Sequence, residues 1–171
     1  MGKISYAFAY SNYLSPNKQA YTYMGLTGKL IMISSGGDVF YDILKHKPEE
    51  IAFVSPDKVH SCDIEGQRGV IGSVLCWNYT LDGKRQTTKE IIEEVDEKKH
   101  KIVKKVIEGD LLGDLYKSFK IIFHVQPKGD RQLAVWTLEF EKLNASVPYP
   151  TTFMDLLLNV TKEMGVHKTR Q

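Results

Sequence analysis

Apolar and polar residues alternate along three stretches of the chain, as they do in strands that bury one face of a sheet. The alternation assigns one apolar set to the inner face of each stretch. These sets are Ile71, Leu75, Trp77, Tyr79 and Leu81; Phe119, Ile121, Phe123 and Val125; and Ala134, Trp136, Leu138 and Phe140. Strands with one buried and one solvated face are typical of an antiparallel meander, so the pattern predicts an antiparallel sheet.

Turn residues between the apolar runs set the number of strands. Asp82-Gly83 fits a type I′ hairpin turn, and the segment 127–130 joins the last two runs. A short apolar run at 29–33 precedes the others and is best explained as an edge or closing strand. The seven predicted strands cover residues 29–33, 58–65, 70–81, 85–95, 101–108, 116–126 and 132–143.

Two short helices are predicted between the first and second strands. Asp38 can cap a helix over residues 39–45, whose apolar side chains fall on one side. Pro48 either ends that helix or begins a second one, in which Glu49 and Glu50 lie in the first turn, where the helix dipole favours acids.

The segment after Pro150 gives the strongest helical pattern. Thr152 with Asp155 resembles a capping box, and Gly165 is a suitable C-terminal stop. Four apolar residues recur at helical spacing between these signals. They are Phe153, Leu157, Val160 and Met164. The spacing predicts a long amphipathic helix that ends near Met164.

The first 23 residues differ from the rest in composition and charge. They are rich in Tyr, Ser and Asn, and they contain Lys3 and Lys18 but no acid. These two lysines account for the net charge of +2, so the remainder of the chain is neutral. We therefore predict a poorly ordered extension over residues 1–23 and one domain over 24–171. A neutral domain offers no electrostatic footprint for nucleic acid.

Apolar runs and cysteines bear on the compartment. No run approaches the roughly 20 apolar residues that span a bilayer, and segment 4–10 is too short for a signal-peptide core. A turn at 66–69 would offset Cys62 and Cys76 by about 10 Å along their strands, beyond the reach of a disulfide. We therefore expect free thiols, no membrane span and a cytoplasmic protein.

Several short blocks in one order carry a family resemblance that covers residues 24–167. They read GLTGKL (25–30), GDVF (37–40), KVHSCD (58–63), GSVLCWNY (72–79), DGK (82–84), VIEGDLL (106–112), YKSFK (116–120), WTLEFEKL (136–143) and VPYPTTFMDLL (147–157). With this element order, the chain resembles the major latex protein branch of the Bet v I superfamily.

The resemblance implies an α+β helix-grip fold. In that fold a curved seven-stranded antiparallel sheet, with two short helices after its first strand, grips a long C-terminal helix above a hydrophobic cavity. Such a pocket usually has a volume of roughly 300–1,000 Å³. Eight residues of the strands and the helix are expected to line it. They are Trp77, Tyr79, Phe119, Phe123, Trp136, Phe153, Leu157 and Val160.

The resemblance also implies a function. It indicates a monomeric, non-enzymatic protein, without a cofactor, that binds and carries hydrophobic small molecules in plant defence or stress responses. The ligand would be a sterol, a fatty acid, a flavonoid or a hormone-like molecule. Two alternatives stay open: an isomerase or lyase-type enzyme of specialised metabolism, and a ligand-gated interaction protein similar to the hormone receptors of the superfamily.

Residues with reactive side chains favour no particular catalysis. His60, His100 and His124 show no metal-ligand spacing, and no motif indicates an activated nucleophile, so neither a metal site nor a catalytic residue is predicted. The carboxylates at positions 90, 93 and 94 are expected on a solvated face, with Glu90 and Glu94 together.

Four residues would be acid or base candidates if their side chains pointed into the cavity. They are Tyr79, Glu90, Lys104 and Tyr116. Lys104 and Lys105 are adjacent, and adjacent side chains of a strand face opposite ways, so one lysine is expected to face the cavity. Such a lysine would narrow the cavity, give it an ammonium partner for an acidic ligand, or weaken the fold.

Overall fold

The computed structural model describes residues 19–24 and 26–171, with the side chains of the second range. This part of the chain forms eight strands and three helices. In chain order they are β1 (Gln19–Met24), β2 (Thr27–Ser35), α1 (Gly37–His46), α2 (Glu50–Val54), β3 (Val59–Glu65), β4 (Val74–Leu81), β5 (Lys84–Asp96), β6 (Lys101–Gly109), β7 (Tyr116–Lys128), β8 (Arg131–Lys142) and α3 (Thr151–Thr169).

The strands form one antiparallel sheet in the order β1-β2-β8-β7-β6-β5-β4-β3. Strands β3 to β8 follow one another as a meander, and β2 pairs with β8. The two short helices lie between β2 and β3 in the chain, and α3 contacts β2, β4 and β8 as well as α1 and α2. The predicted helix-grip fold is confirmed.

Strand β1 is an addition to the seven predicted strands. It pairs with β2, with Tyr21 opposite Leu30, and its first five residues fall within the predicted extension 1–23. An edge strand is held by backbone hydrogen bonds, so it needs no alternating apolar pattern, and for this reason alternation did not predict β1. Residues 1–18 of that extension lie outside the described residues.

The hairpin between β3 and β4 differs from its prediction. Strand β4 begins at Val74 rather than at residue 70, and Ile71 is exposed instead of facing inward. The loop is longer because Gly69 and Gly72, both with positive φ, continue the turn past residue 69. Cys62 therefore pairs with Trp77, and not with Ser73 as the shorter loop would require.

The two cysteines follow from this register. Cys62 lies opposite Trp77 and Cys76 lies opposite Asp63, so the thiols point to opposite faces of the sheet. Both are free, as predicted, although the predicted offset along the strands was wrong. Burial raises the pKa of the Cys62 thiol, which keeps that thiol protonated.

Helix α3 supplies much of the core, and both predicted ends need correction. Thr152 does not cap the helix: the N-cap residue is Pro150, and the Thr152 hydroxyl donates a hydrogen bond to Asp82 at 3.0 Å. The helix continues past Gly165 to Thr169 because that glycine keeps helical geometry and Lys168 forms an ion pair with Glu50 at 3.5 Å.

Gly109, at the end of β6, gives a prediction about stability. Its φ is +118°, and a Cβ atom there would lie 2.2 Å from the carbonyl oxygen of Thr87. Gly109→Ala is expected to lower the free energy of unfolding by at least about 2 kcal/mol, measured by urea denaturation. The strain of a positive φ in alanine and the clash of its Cβ with the Thr87 backbone both contribute to this loss. Gly129→Ala is the control, with φ +62° and open space. Equal losses in the two variants would contradict the predicted clash.

Candidate functional site

A cavity lies between α3 and the concave face of the sheet. Its volume is about 50 Å³. Most of the lining is apolar, with four polar side chains among the strand residues. The lining residues are Phe40, Leu44, Ile51, Val59, Trp77, Tyr79, Thr88, Glu90, Lys104, Trp136, Phe153, Leu156, Leu157 and Val160. Residues of α1 and α2 close one end of the cavity, and residues of α3 cover the side that faces away from the sheet.

The structure brings six of the eight predicted lining residues to this cavity. They are Trp77, Tyr79, Trp136, Phe153, Leu157 and Val160. Phe119 and Phe123 do not line it, and both are fully buried. Phe119 packs edge-on against Phe153, with ring centroids 5.6 Å apart, and Phe123 packs against Trp136 at 4.9 Å. The rings of these neighbours separate them from the cavity.

Sequence reasoning missed part of the lining. Phe40 and Leu44 come from α1, where their common side of the helix was a usable signal. Leu156 precedes the predicted Leu157 and is the more deeply buried of the two. Thr88 had no signal, because a single threonine on a strand does not indicate which face it occupies.

The cavity is several-fold smaller than the expected 300–1,000 Å³. A volume of about 50 Å³ holds a few water molecules, since one water needs roughly 10–15 Å³ measured in this way. Two indole rings and the long side chains of Glu90 and Lys104 project into the space beneath α3. A ligand of flavonoid or sterol size therefore requires α3 or these side chains to move.

A buried ion pair forms the polar part of the cavity wall. The Lys104 ammonium donates a hydrogen bond to Oε2 of Glu90 at 2.6 Å, and Trp77 Nε1 donates to the same oxygen at 3.1 Å. Each charged residue is only 3% exposed. The Lys104 nitrogen also lies 5.7 Å from the centre of the Trp77 ring, within range of a cation–π interaction.

The inward position of Glu90 corrects the prediction of a solvated carboxylate. Irregular pairing between β5 and β6 occurs at Lys89/Glu90 and again at Ile92/Glu94. Thr88, Glu90 and Ile92 keep the two-residue alternation on the inner face, and Glu90 lies opposite the buried Leu75 of β4. The second irregularity adds one residue to β5 before Glu94, so Glu93 and Glu94 are both exposed and Glu90 and Glu94 do not share a face. Simple alternation cannot predict a bulge.

The two adjacent lysines behave as expected, because Lys104 is buried and Lys105 is exposed. The two tyrosine candidates differ in their position relative to the cavity. Tyr79 lines the cavity while its hydroxyl donates to Gln86 Oε1 at 3.4 Å, and burial, followed by the nearby Glu90 charge, raises the pKa of that hydroxyl. Tyr116 lies outside the cavity lining: its hydroxyl donates to the Pro148 carbonyl at 2.7 Å, and burial raises its pKa to about 12.

A hydrogen bond fixes the middle of α3 to the sheet. Trp136 Nε1 donates to the Thr161 hydroxyl oxygen at 3.0 Å, and that hydroxyl donates to the Leu157 carbonyl at 2.6 Å. Both Trp136 and Thr161 are 1% exposed. Farther along the helix, Glu163 accepts hydrogen bonds from Lys58 and from the Ser55 hydroxyl.

We expect Thr161→Val to lower the free energy of unfolding by about 1–3 kcal/mol, measured by urea denaturation. Valine keeps the shape of threonine but leaves the buried indole N–H of Trp136 without an acceptor. Thr169→Val is the matched control, because the exposed Thr169 hydroxyl bonds only to a carbonyl of its own helix at 2.8 Å. The prediction is wrong if the two variants lose the same stability.

Side-chain clusters, histidine contacts and helix hydropathy bear on metal binding and membrane spans in residues 19–24 and 26–171. In this part of the chain, no group of three or more His, Cys, Asp and Glu side chains is placed to hold a metal ion. His60 contacts the Thr80 hydroxyl at 2.6 Å, and His100 stacks on Tyr41. No helix in these ranges is long and apolar enough to cross a membrane.

Comparison with known proteins agrees with this architecture. The pathogenesis-related protein Bet v 1 family matches residues 16–169. MLP-like protein 31 of Arabidopsis thaliana is 38% identical over 148 residues, which cover 83% of this chain and 86% of that protein. MLP-like protein 34 of the same plant is also 38% identical, over 80% of this chain, but the match spans only 44% of its length.

A solved structure gives the same result. The crystal structure of ginseng major latex-like protein 151 from Panax ginseng superposes with a TM-score of 0.79 at 40% identity, covering 84% of this chain and 98% of that one. The fold and the match together define a protein with a helix packed over a curved sheet and a cavity between them. The chain belongs to the Bet v 1 family, and within it to the major latex protein-like branch.

Proposed function

We propose that the protein binds an apolar small molecule in the cavity beneath α3 and carries it in water. The proposal rests on the apolar space between the sheet and α3, which Phe153, Leu157 and Val160 cover on the helix side. Side chains that filled the core completely would leave no such space. Burial of a ligand there gains roughly 25 cal/mol per Å² of apolar surface. The family description, a pathogenesis-related protein, supports a role in plant defence or stress.

Binding of a ligand of flavonoid or sterol size requires α3 or the side chains that line the cavity to move. Polar contacts hold the helix along its length: Thr152 to Asp82 at its start, Trp136 to Thr161 in the middle, and Ser55 and Lys58 to Glu163 and Lys168 to Glu50 toward its end. A ligand can offset the loss of these contacts with the apolar area that it buries. We therefore propose occupants of flavonoid, fatty acid, sterol or hormone-like type, bound by a monomer in the cytoplasm.

A neutral fluorescent probe tests the proposal. N-phenyl-1-naphthylamine should bind saturably, and a sterol, a fatty acid or a flavonoid should displace it. Leu157→Trp fills the cavity and should abolish binding, whereas Val166→Trp, on an exposed position of the same helix, should not. The proposal fails if no ligand of these classes displaces the probe, or if Leu157→Trp binds it as the wild type does.

A second candidate function is acid–base catalysis, and the Glu90–Lys104 pair is the observation that favours it. A carboxylate and an ammonium 2.6 Å apart in an apolar cavity can transfer a proton to or from a bound molecule. Small molecules extracted from the source tissue can be incubated with the wild type and with Glu90→Gln. Catalysis predicts a chemical change, detected by mass spectrometry, that the variant no longer produces.

A further inference from the structure

The Glu90–Lys104 pair does not use all of its hydrogen-bonding capacity. Glu90 accepts both of its hydrogen bonds at Oε2, and its other oxygen, Oε1, has no partner among the residues that the structure describes. Lys104 carries three N–H donors and uses one of them, on the same Oε2. Both side chains line the cavity, so a free acceptor and free donors face the same small space.

The charges of the pair already compensate each other. The Lys104 ammonium lies 2.6 Å from the Glu90 carboxylate and near the negative face of the Trp77 ring. A carboxylate ligand would bring a second negative charge beside Glu90 without a cation to balance it, and the apolar walls make such a charge costly. A cationic ligand would likewise bring a second positive charge beside Lys104, at a similar cost in binding free energy.

We infer that the cavity selects neutral ligands that carry a hydroxyl group, alcohols or phenols, over carboxylic acids. The hydroxyl donates to Oε1 of Glu90 and accepts from a free N–H of Lys104, while the rest of the molecule contacts the apolar walls. This inference rests on the proposed function, of which it defines the ligand class. It favours hydroxylated ring compounds and disfavours fatty acids.

Three probes with one ring system test the inference by titration calorimetry at pH 7. They are 2-naphthol, which donates and accepts, 2-methoxynaphthalene, which only accepts, and 2-naphthoate, which is an anion. Because the naphthalene ring is common to all three, apolar burial is nearly the same. We expect 2-naphthol to bind at least about tenfold more tightly than 2-methoxynaphthalene, since its hydrogen bond is to a charged group, and 2-naphthoate to bind most weakly.

The double variant Glu90→Leu/Lys104→Met shows whether the pair causes the preference. It replaces both charges with apolar side chains of similar size and should bind 2-naphthol and 2-methoxynaphthalene within about threefold of each other. The control variant Glu94→Gln/Lys101→Met removes an ion pair of 3.1 Å that joins the same two strands on the exposed side. It should keep the wild-type ranking.

The outcomes separate the inference from the proposed function. Equal binding of 2-naphthol and 2-methoxynaphthalene, or tightest binding of 2-naphthoate, overturns the inference and leaves the binding function intact. A preference that persists in the double variant also overturns it. If none of the probes binds and N-phenyl-1-naphthylamine does not bind either, the proposed function fails. Should the double variant be misfolded by circular dichroism, the wild-type ranking decides alone.

Discussion

Replacing Lys104 by methionine should lower the free energy of unfolding by about 3–5 kcal/mol at pH 7, because the Glu90 carboxylate then lies in the cavity without its cation. Glu90 is 3% exposed, so bulk solvent does not screen its charge. Only the Trp77 indole N–H would still donate to the carboxylate. Urea denaturation of the wild type and of Lys104→Met measures the loss.

Two comparisons make this prediction specific. The double variant Glu90→Leu/Lys104→Met should recover most of the lost stability, because it removes both charges together. Lys101→Met removes the exposed partner of Glu94 from the same strands and should cost less than about 1 kcal/mol. If Lys104→Met loses no more stability than Lys101→Met, the Glu90 carboxylate does not depend on the Lys104 ammonium for compensation of its charge, and the prediction is wrong.

Phe153→Ala should cost about 3–5 kcal/mol of unfolding free energy and should also increase the binding of small apolar molecules. Phe153 is 4% exposed, and its ring packs edge-on against Phe119 at 5.6 Å and Tyr79 at 6.1 Å. Its removal takes one aromatic neighbour from each of these rings and extends the cavity, and apolar cavities of this kind bind benzene. Urea denaturation gives the stability, and calorimetric titration with benzene gives the affinity.

Leu30→Ala is the control for the effect on binding. Leu30 is 1% exposed and lies on β2, and it is not part of the cavity lining. It should lose a comparable 2–5 kcal/mol but should not gain affinity for benzene at this site. Equal gains in the two variants would show that any hole in the core binds benzene, and that the cavity under α3 is not a preferred site.

The fold could be predicted because its signals are local. Alternation identified the inner faces of β7 and β8, the Asp82-Gly83 turn separated β4 from β5, and helical spacing identified α3. The features that were missed depend on other parts of the structure. Strand β1 is defined by its pairing with β2, and the end of the longer β3–β4 loop is held by backbone hydrogen bonds of Gly72 and Ser73 with Ile92 of β5.

The candidate site could be predicted only in its apolar part. Trp77, Tyr79 and Trp136 face the cavity because alternation holds along their strands. Glu90 follows the same alternation, together with Thr88 and Ile92, but a carboxylate is ordinarily assigned to a solvated face. The pairing of Glu90 with Lys104 joins two strands and could not be predicted from either strand alone.

The size of the cavity could not be predicted from the sequence either. The residue types of a lined pocket and of a filled core are the same, and only the separation between α3 and the sheet distinguishes them. Here Phe119 and Phe123 belong to the filled core, while Phe153 belongs to the lining, although all three are buried aromatic residues. Their different roles depend on which neighbouring rings cover them.

The pairing of β2 with β8 has a consequence for biosynthesis. Apart from β1, the partner of β2 in the sheet is β8, and the paired residues lie about a hundred positions apart in the sequence, so β2 is synthesised well before its partner. Pairings between segments so far apart in the sequence form slowly, because a long loop must close first. The nascent chain therefore exposes one edge of β2 until β8 emerges from the ribosome, and chaperones that cover such edges should associate with it during that interval.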